Sequence, residues 1–171
     1  MFWLSSKNRE HLSQYRFEQA IESSEASKKL FDAQLYKDSV NRSYYAIFHA
    51  IRSVLALSAV DFKRHGDVIS YFNREYVRPE IFPRELERRI GELQELSEKS
   101  DYLDFFTVPK EEAEEQLETA KSVIESIGHF LVHKYLDKGI DDMESGNILP
   151  LEEAFEKITE LRNSRRNVKQ E

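Results

Sequence analysis

The chain contains no cysteine. That excludes a disulfide framework, a thiolate metal site and a cysteine nucleophile, and it is compatible with the cytoplasm, the expected location. Glycine is scarce, with 5 scattered through 171 residues, so no glycine-rich phosphate loop can be built. There are 4 prolines, and so few helix breakers favour long helices over a sheet. The apolar runs are interrupted by charge well before the roughly 20 residues that a membrane span requires. Met1-Phe2-Trp3-Leu4 is apolar but short, and Lys7, Arg9 and Glu10 follow closely, so neither a signal segment nor a membrane partner is expected. Positive charge is in deficit: 25 Lys and Arg face 32 Asp and Glu, a net charge of −7. This argues against broad, non-specific binding to nucleic acid and leaves room for a local basic pocket.

What is present is helical. Hydrophobic residues make up 40% and charged residues 33% of the chain, and the apolar ones recur at helical spacing. A first helix is expected from about Asn8 to Leu35, and a second from Ser39 to Leu57 with Asp38 or Ser39 as its N-cap. A third runs from His65 to Val77, ended by Arg78-Pro79, and Ile81-Phe82-Pro83 then tucks against the core. A fourth covers Arg84 to Tyr102. A fifth starts at Pro109, carries acids in its first turns, and stops at Gly139. Asp141 to Asn147 reads as a polar linker, Pro150 to Arg162 as a short amphipathic helix, and the last residues as a basic tail. The expected fold is all-α: an antiparallel up-and-down bundle of four to five main helices over 1–137, with a short C-terminal helical extension over 138–171.

One stretch of the second helix does not read as core alone. Asn41-Arg42-Ser43-Tyr44-Tyr45-Ala46-Ile47-Phe48-His49-Ala50 places an arginine, two tyrosines and a histidine in an apolar segment. Val40, Tyr44, Ile47, Ile51, Val54 and Leu55 form its apolar face, while Arg42, Tyr45, His49 and Arg52 form a second stripe. Arginine offers planar, permanently charged donors matched to phosphate. Histidine, with an ordinary pKa of about 6.5, exchanges a proton near neutral pH. These are the parts needed to cleave RNA without a metal, because the 2′-hydroxyl must lose a proton and the leaving 5′-oxygen must gain one. Arg42 and His49 are therefore the candidate catalytic pair. Seven residues of helix separate them by about 10 Å along the axis, so rather than gripping one oxygen they are expected to flank a nucleotide or to be completed by a second subunit. The competing reading pairs Arg42 with an acid such as Asp101 and makes His49 a hydrogen-bonded core residue. Asn41, Tyr45, Arg52, Lys63, His65 and Asp101 are the candidate nucleotide-binding residues. His129 and His133 stand at i, i+4, but Phe130 occupies the place of the glutamate that a zinc-protease helix requires, and no metal or other cofactor is expected.

At these residues the chain resembles the HEPN domain family (higher eukaryotes and prokaryotes nucleotide-binding). The small prokaryotic members carry Arg-x-Tyr-Tyr-Ala-x-Phe-His-Ala, which reads here as Arg42 to Ala50. A Lys-x-His segment with a following aromatic-rich helix matches Lys63-Arg64-His65 through Phe72 and Tyr76, and an Asp-Tyr pair matches Asp101-Tyr102. The resemblance spans about residues 10–136. It implies a helical bundle, usually a homodimer. It also implies a metal-independent endoribonuclease built on an Arg and a nearby His, with six residues between Arg42 and His49 here. It further implies a toxin-like role opposed by a partner similar to a minimal nucleotidyltransferase. The motif lies early in this chain, and Glu98 stands where this subgroup often has a basic residue. The alternative is a catalytically inactive nucleotide-binding or protein-interaction module paired with that partner.

Overall fold

The computed structural model of the protein describes residues 6–103 and 105–146, with side chains from residue 8 on. Its contacts divide the chain into two units, Met1–Leu131 and Val132–Glu171. The helices are α1 (Ser6–Asp32), α2 (Tyr36–Leu57), α3 (His65–Phe72), α4 (Glu85–Tyr102) and α5 (Lys110–Glu144), with a π-helical turn at Asn73–Val77 continuing α3. No strand occurs among the described residues, and the all-helical bundle is as expected. No described helix is long and apolar enough to cross a membrane.

The first unit is built around α2. Its Val40, Tyr44, Ile47, Ile51, Val54 and Leu55 are all buried, and each large aliphatic among them contributes about 1.5–3 kcal/mol by leaving water. Leu86, Ile90, Leu93 and Leu96 of α4 and Leu117, Ala120, Ile127 and Leu131 of α5 belong to the same buried set. Helix α1 packs antiparallel to α2, and small residues set how close the two come. Ser27, Ser39 and Ser43 are fully buried. Ser27 Oγ donates to the Ser39 carbonyl at 2.8 Å and lies 2.7 Å from Ser43 Oγ, while Ser39 Oγ donates to the Ser27 carbonyl at 3.0 Å. Each buried hydroxyl is thereby satisfied, as a buried polar group must be. Helices α1 and α5 also come close: a Cβ at Gly128 would stand 3.1 Å from the Phe17 ring.

Several element boundaries differ from the sequence expectation. Helix α2 begins at Tyr36, and Leu35 rather than Asp38 or Ser39 is its N-cap, with no side-chain cap. The cause lies in the preceding turn. Gln34 adopts φ +62°, Leu35 N donates to the Leu30 carbonyl and Gln34 N to the Phe31 carbonyl. This closes α1 in a Schellman motif and releases the chain directly into α2. Ala59, at φ +56°, closes α2 in the same way. The expected third helix widens into its π turn at Asn73, where Arg78 N donates to the Asn73 carbonyl at 2.8 Å. A straight α-helix would carry Val77 about half a turn away from Val68. The wider turn swings it back toward the core, and both are fully buried. Phe82 tucks into the core as expected, whereas Ile81 is exposed.

Gly139 does not end α5, which continues through the expected linker to Glu144. A lone exposed glycine costs a helix only about 1 kcal/mol. The stop is Gly146, at φ +70°, whose N–H donates to the Met143 carbonyl. In the second unit, Val132, Leu136, Ile140 and Met143 form an exposed apolar line on this helix. The expected short helix from Pro150 to Arg162 and the basic tail lie outside the described residues.

Candidate functional site

The site is assembled on the polar stripe of α2 by elements on either side of it. Arg42 is exposed and Tyr45, His49 and Arg52 are half-buried, because this stripe faces away from the core residues that flank it. Arg42 lies over the Tyr45 ring with its guanidinium carbon 5.9 Å from the centroid, and Arg52 lies over Phe48 at 5.8 Å. The Tyr45 and His49 rings are 6.4 Å apart.

The anticipated partnership of Arg42 with Asp101 does not form. Asp101 Oδ1 accepts from Asn41 Nδ2 at 2.6 Å, and Ser97 Oγ donates to Asn41 Oδ1 at 2.8 Å. Asn41 thus ties the start of α2 to the end of α4, and both of its amide atoms are occupied. Asp101 anchors the neighbour of Arg42 and leaves the guanidinium itself without a carboxylate among the described residues. A shallow depression of about 290 Å³ lies beside it, lined by Leu30, Asp38, Asn41, Arg42 and Tyr45.

At the other end of the stripe the ion pair is real but involves different residues. Asp61, in the connection after α2, accepts from Arg16 Nη2 at 2.7 Å through Oδ2. It also accepts from Arg52 Nη2 at 3.1 Å through Oδ1 and 2.9 Å through Oδ2. Arg16 is buried on α1 and also donates to the Arg52 carbonyl at 3.2 Å. Burial works to raise the Asp61 pKa, but the hydrogen bonds from Arg16 and Arg52 outweigh it and hold the carboxyl below its ordinary value. One carboxylate between two guanidiniums leaves a net positive charge next to His49. Sequence reasoning missed Arg16 and Asp61. Each is an ordinary charged residue in its own segment, and only packing joins them.

His49 responds to this environment. Burial lowers its pKa first, and the positive charges of Arg52, Arg16 and Arg42 and the His65 ring lower it further. The imidazole is therefore biased toward its neutral, proton-accepting form. His65, the first residue of α3, is exposed, and its ring lies against Phe48, tilted by 30° with 4.0 Å between centroids. The Tyr44 hydroxyl lies 3.4 Å from His65 Nδ1. Burial, followed by Glu98 and Tyr45, pushes the Tyr44 pKa up to about 12, so that hydroxyl keeps its proton. Lys63 and Arg64 are exposed just ahead of His65 and have no ion-pair partner among the described residues. Tyr45, His49, Arg52 and His65 are thus drawn together, whereas Asn41 and Asp101 bond to each other at the α4 end of the stripe, with Asn41 also lining the depression beside Arg42. His129 and His133 stand exposed on α5, and no group of three or more metal-ligating side chains occurs among the described residues.

The family model of the HEPN domain matches residues 13–130, and the chain belongs to this family. It is 29% identical over 125 residues to "Putative toxin MJ0142" of Methanocaldococcus jannaschii, covering 73% of this chain and 85% of that protein. A second protein of that archaeon with the same style of name, MJ0605, is 36% identical over 83 residues, covering 48% of this chain and 62% of its own. A UPF0332 protein of Thermotoga maritima is 25% identical over 119 residues, covering 70% and 90% respectively.

Proposed function

We propose that this protein binds RNA along the α2 stripe and cleaves it without a metal ion, as the toxin of a toxin–antitoxin pair. Arg42 holds a backbone phosphate, Tyr45 stacks on a base, and His49 exchanges the proton. The observation that carries this reading is the stripe itself: half-buried His49 lies 6.4 Å from the Tyr45 ring, Arg42 covers that ring at 5.9 Å and Arg52 covers Phe48 at 5.8 Å, in a protein of net charge −7. Asp61 answers only one of the two charges of Arg16 and Arg52, and Arg42 has no carboxylate among the described residues, so an anionic ligand would meet excess positive charge along this stripe. The names of the two archaeal relatives support the toxin role. A homodimer in the cytoplasm and a nucleotidyltransferase-like antitoxin complete the proposal.

The direct test is purified protein incubated with RNA in EDTA. Cleavage is expected to survive chelation and to fall by about 10²–10⁴-fold in His49→Ala. Cleavage that requires a divalent ion, or that is untouched by the substitution, would sink the mechanism. A second reading is binding without turnover, favoured by the roughly 10 Å of helix axis that separates Arg42 from His49. It predicts nucleotide or RNA binding that is sensitive to Arg42→Ala, with no product at any pH.

A further inference from the structure

A second histidine shares the site. His49 and His65 come from different helices, yet both sit against the same two aromatic rings. His49 lies 6.4 Å from Tyr45 and 6.2 Å from Phe48. His65 lies 6.1 Å from Tyr45, edge to face, and 4.0 Å from Phe48. The rings hold the imidazoles in place, and the Tyr44 hydroxyl lies on the Nδ1 side of the His65 ring. That hydroxyl is 3.4 Å from His65 Nδ1, and Nε2 is the ring nitrogen on the other side, open for proton exchange. The surroundings differ in a useful way. His49 is half-buried and crowded by cations, whereas His65 stands at the exposed mouth of the same cluster.

We infer that His65 is a second catalytic residue, the general acid that pairs with His49 as general base in RNA cleavage. This rests on the nuclease reading above. A single imidazole cannot take one proton and deliver another in the same step, but two imidazoles flanking the scissile phosphate can. Neutral His49 takes the proton of the 2′-hydroxyl. The 2′-oxygen bonds to phosphorus as the bond from phosphorus to the 5′-oxygen breaks, and that oxygen leaves with the proton from Nε2 of the His65 imidazolium. The products are a 2′,3′-cyclic phosphate end and a 5′-hydroxyl end. Proton exchange with water restores both rings. The charged and titratable groups facing the pair are Arg42, Arg52, Tyr44 and Tyr45 from α2, Arg16 from α1 and Asp61 from the connection between α2 and α3. Glu98 of α4 acts on Tyr44.

The test uses the full chain and one oligoribonucleotide in two forms, with oxygen or with sulfur at the 5′-bridging position of a single linkage. A thiolate leaves without protonation, so the sulfur linkage dispenses with the acid. His65→Ala is expected to slow the oxygen linkage by about 10²–10⁴-fold and to cleave the sulfur linkage within about tenfold of the unmodified protein, a loss too small to be that of an acid. His49→Ala is expected to slow both. His65→Phe keeps a ring on Phe48 and should behave as His65→Ala, which separates loss of the acid from loss of the ring contact. If both His65 variants cleave the oxygen linkage at the unmodified rate, or sulfur brings no relief, His65 is not the acid while the nuclease reading stands. If the unmodified protein cleaves neither linkage, both fall.

Discussion

At the scale of single residues, the stability of the protein should carry the signature of His49 and Asp61. The His49 pKa is lowered on folding, so the unfolded chain binds the proton first as pH falls. Its contribution is therefore fully present above the ordinary value of about 6.5 and is lost as pH drops from there through the lower folded value. Urea midpoints measured at pH 7.5 and 5.5 should separate more for the unmodified protein than for His49→Gln. Equal separations would show that His49 titrates alike in both states. Asp61 carries a different test. Removing it leaves the buried Arg16 guanidinium with only the Arg52 carbonyl. Asp61→Ala should cost about 1–3 kcal/mol, the penalty for leaving a buried donor short of a partner, toward the lower end because the carboxylate is half-exposed. It should also free Arg52 and loosen the connection that leads to His65. A midpoint within 0.2 kcal/mol of the unmodified value, read through the urea slope at roughly the error of such fits, would count against this clamp.

At the scale of the elements, the turns carry strain that sequence patterns do not reveal. Ala59 holds a left-handed conformation at the end of α2, where glycine is the usual residue. Ala59→Gly should stabilise the protein by about 0.5–1 kcal/mol. Gly91, exposed within α4, presents the converse case, because a Cβ there meets no atom within 4 Å. Gly91→Ala should also stabilise, by about 0.5–1 kcal/mol. Thermal or urea midpoints of the two variants decide both, and a decrease for either would show that its backbone is not as described. Ile51, fully buried at the centre of α2, should cost about 2–5 kcal/mol on truncation to alanine. That substitution lies on the opposite side of α2 from the polar stripe, so any lost activity would follow unfolding rather than chemistry.

At the scale of the whole molecule, the charge distribution matters more than its sum. A net charge of −7 opposes RNA at long range, and binding must come from the few cations around α2. Each phosphate neutralised on a single strand contributes about −0.7 to the slope of log affinity against log salt. Arg42→Ala and Lys63→Ala should each reduce the magnitude of that slope by about this amount. A variant that weakens binding and leaves the slope unchanged would place its residue outside the phosphate contacts. Sedimentation of the purified chain tests the proposed homodimer, with a monomer at micromolar concentration as the adverse result.

The sequence by itself determined the helical class, the order of the helices and the buried face of α2, because amphipathic periodicity is a local property that each segment carries alone. It also placed Arg42, Tyr45, His49 and Arg52 on one stripe, since helical spacing requires it. Only the tertiary structure decided which charges meet. Asp101 serves Asn41 and not Arg42, and Arg52 shares Asp61 with an arginine 36 residues earlier in the chain. Contacts across such separations depend on how helices pack and on left-handed turns at residues as unremarked as Gln34 and Ala59. No local pattern encodes them. The placing of His65 against Phe48 and Tyr45 belongs to the same class of fact: the residue is legible in the sequence, and its neighbours are not.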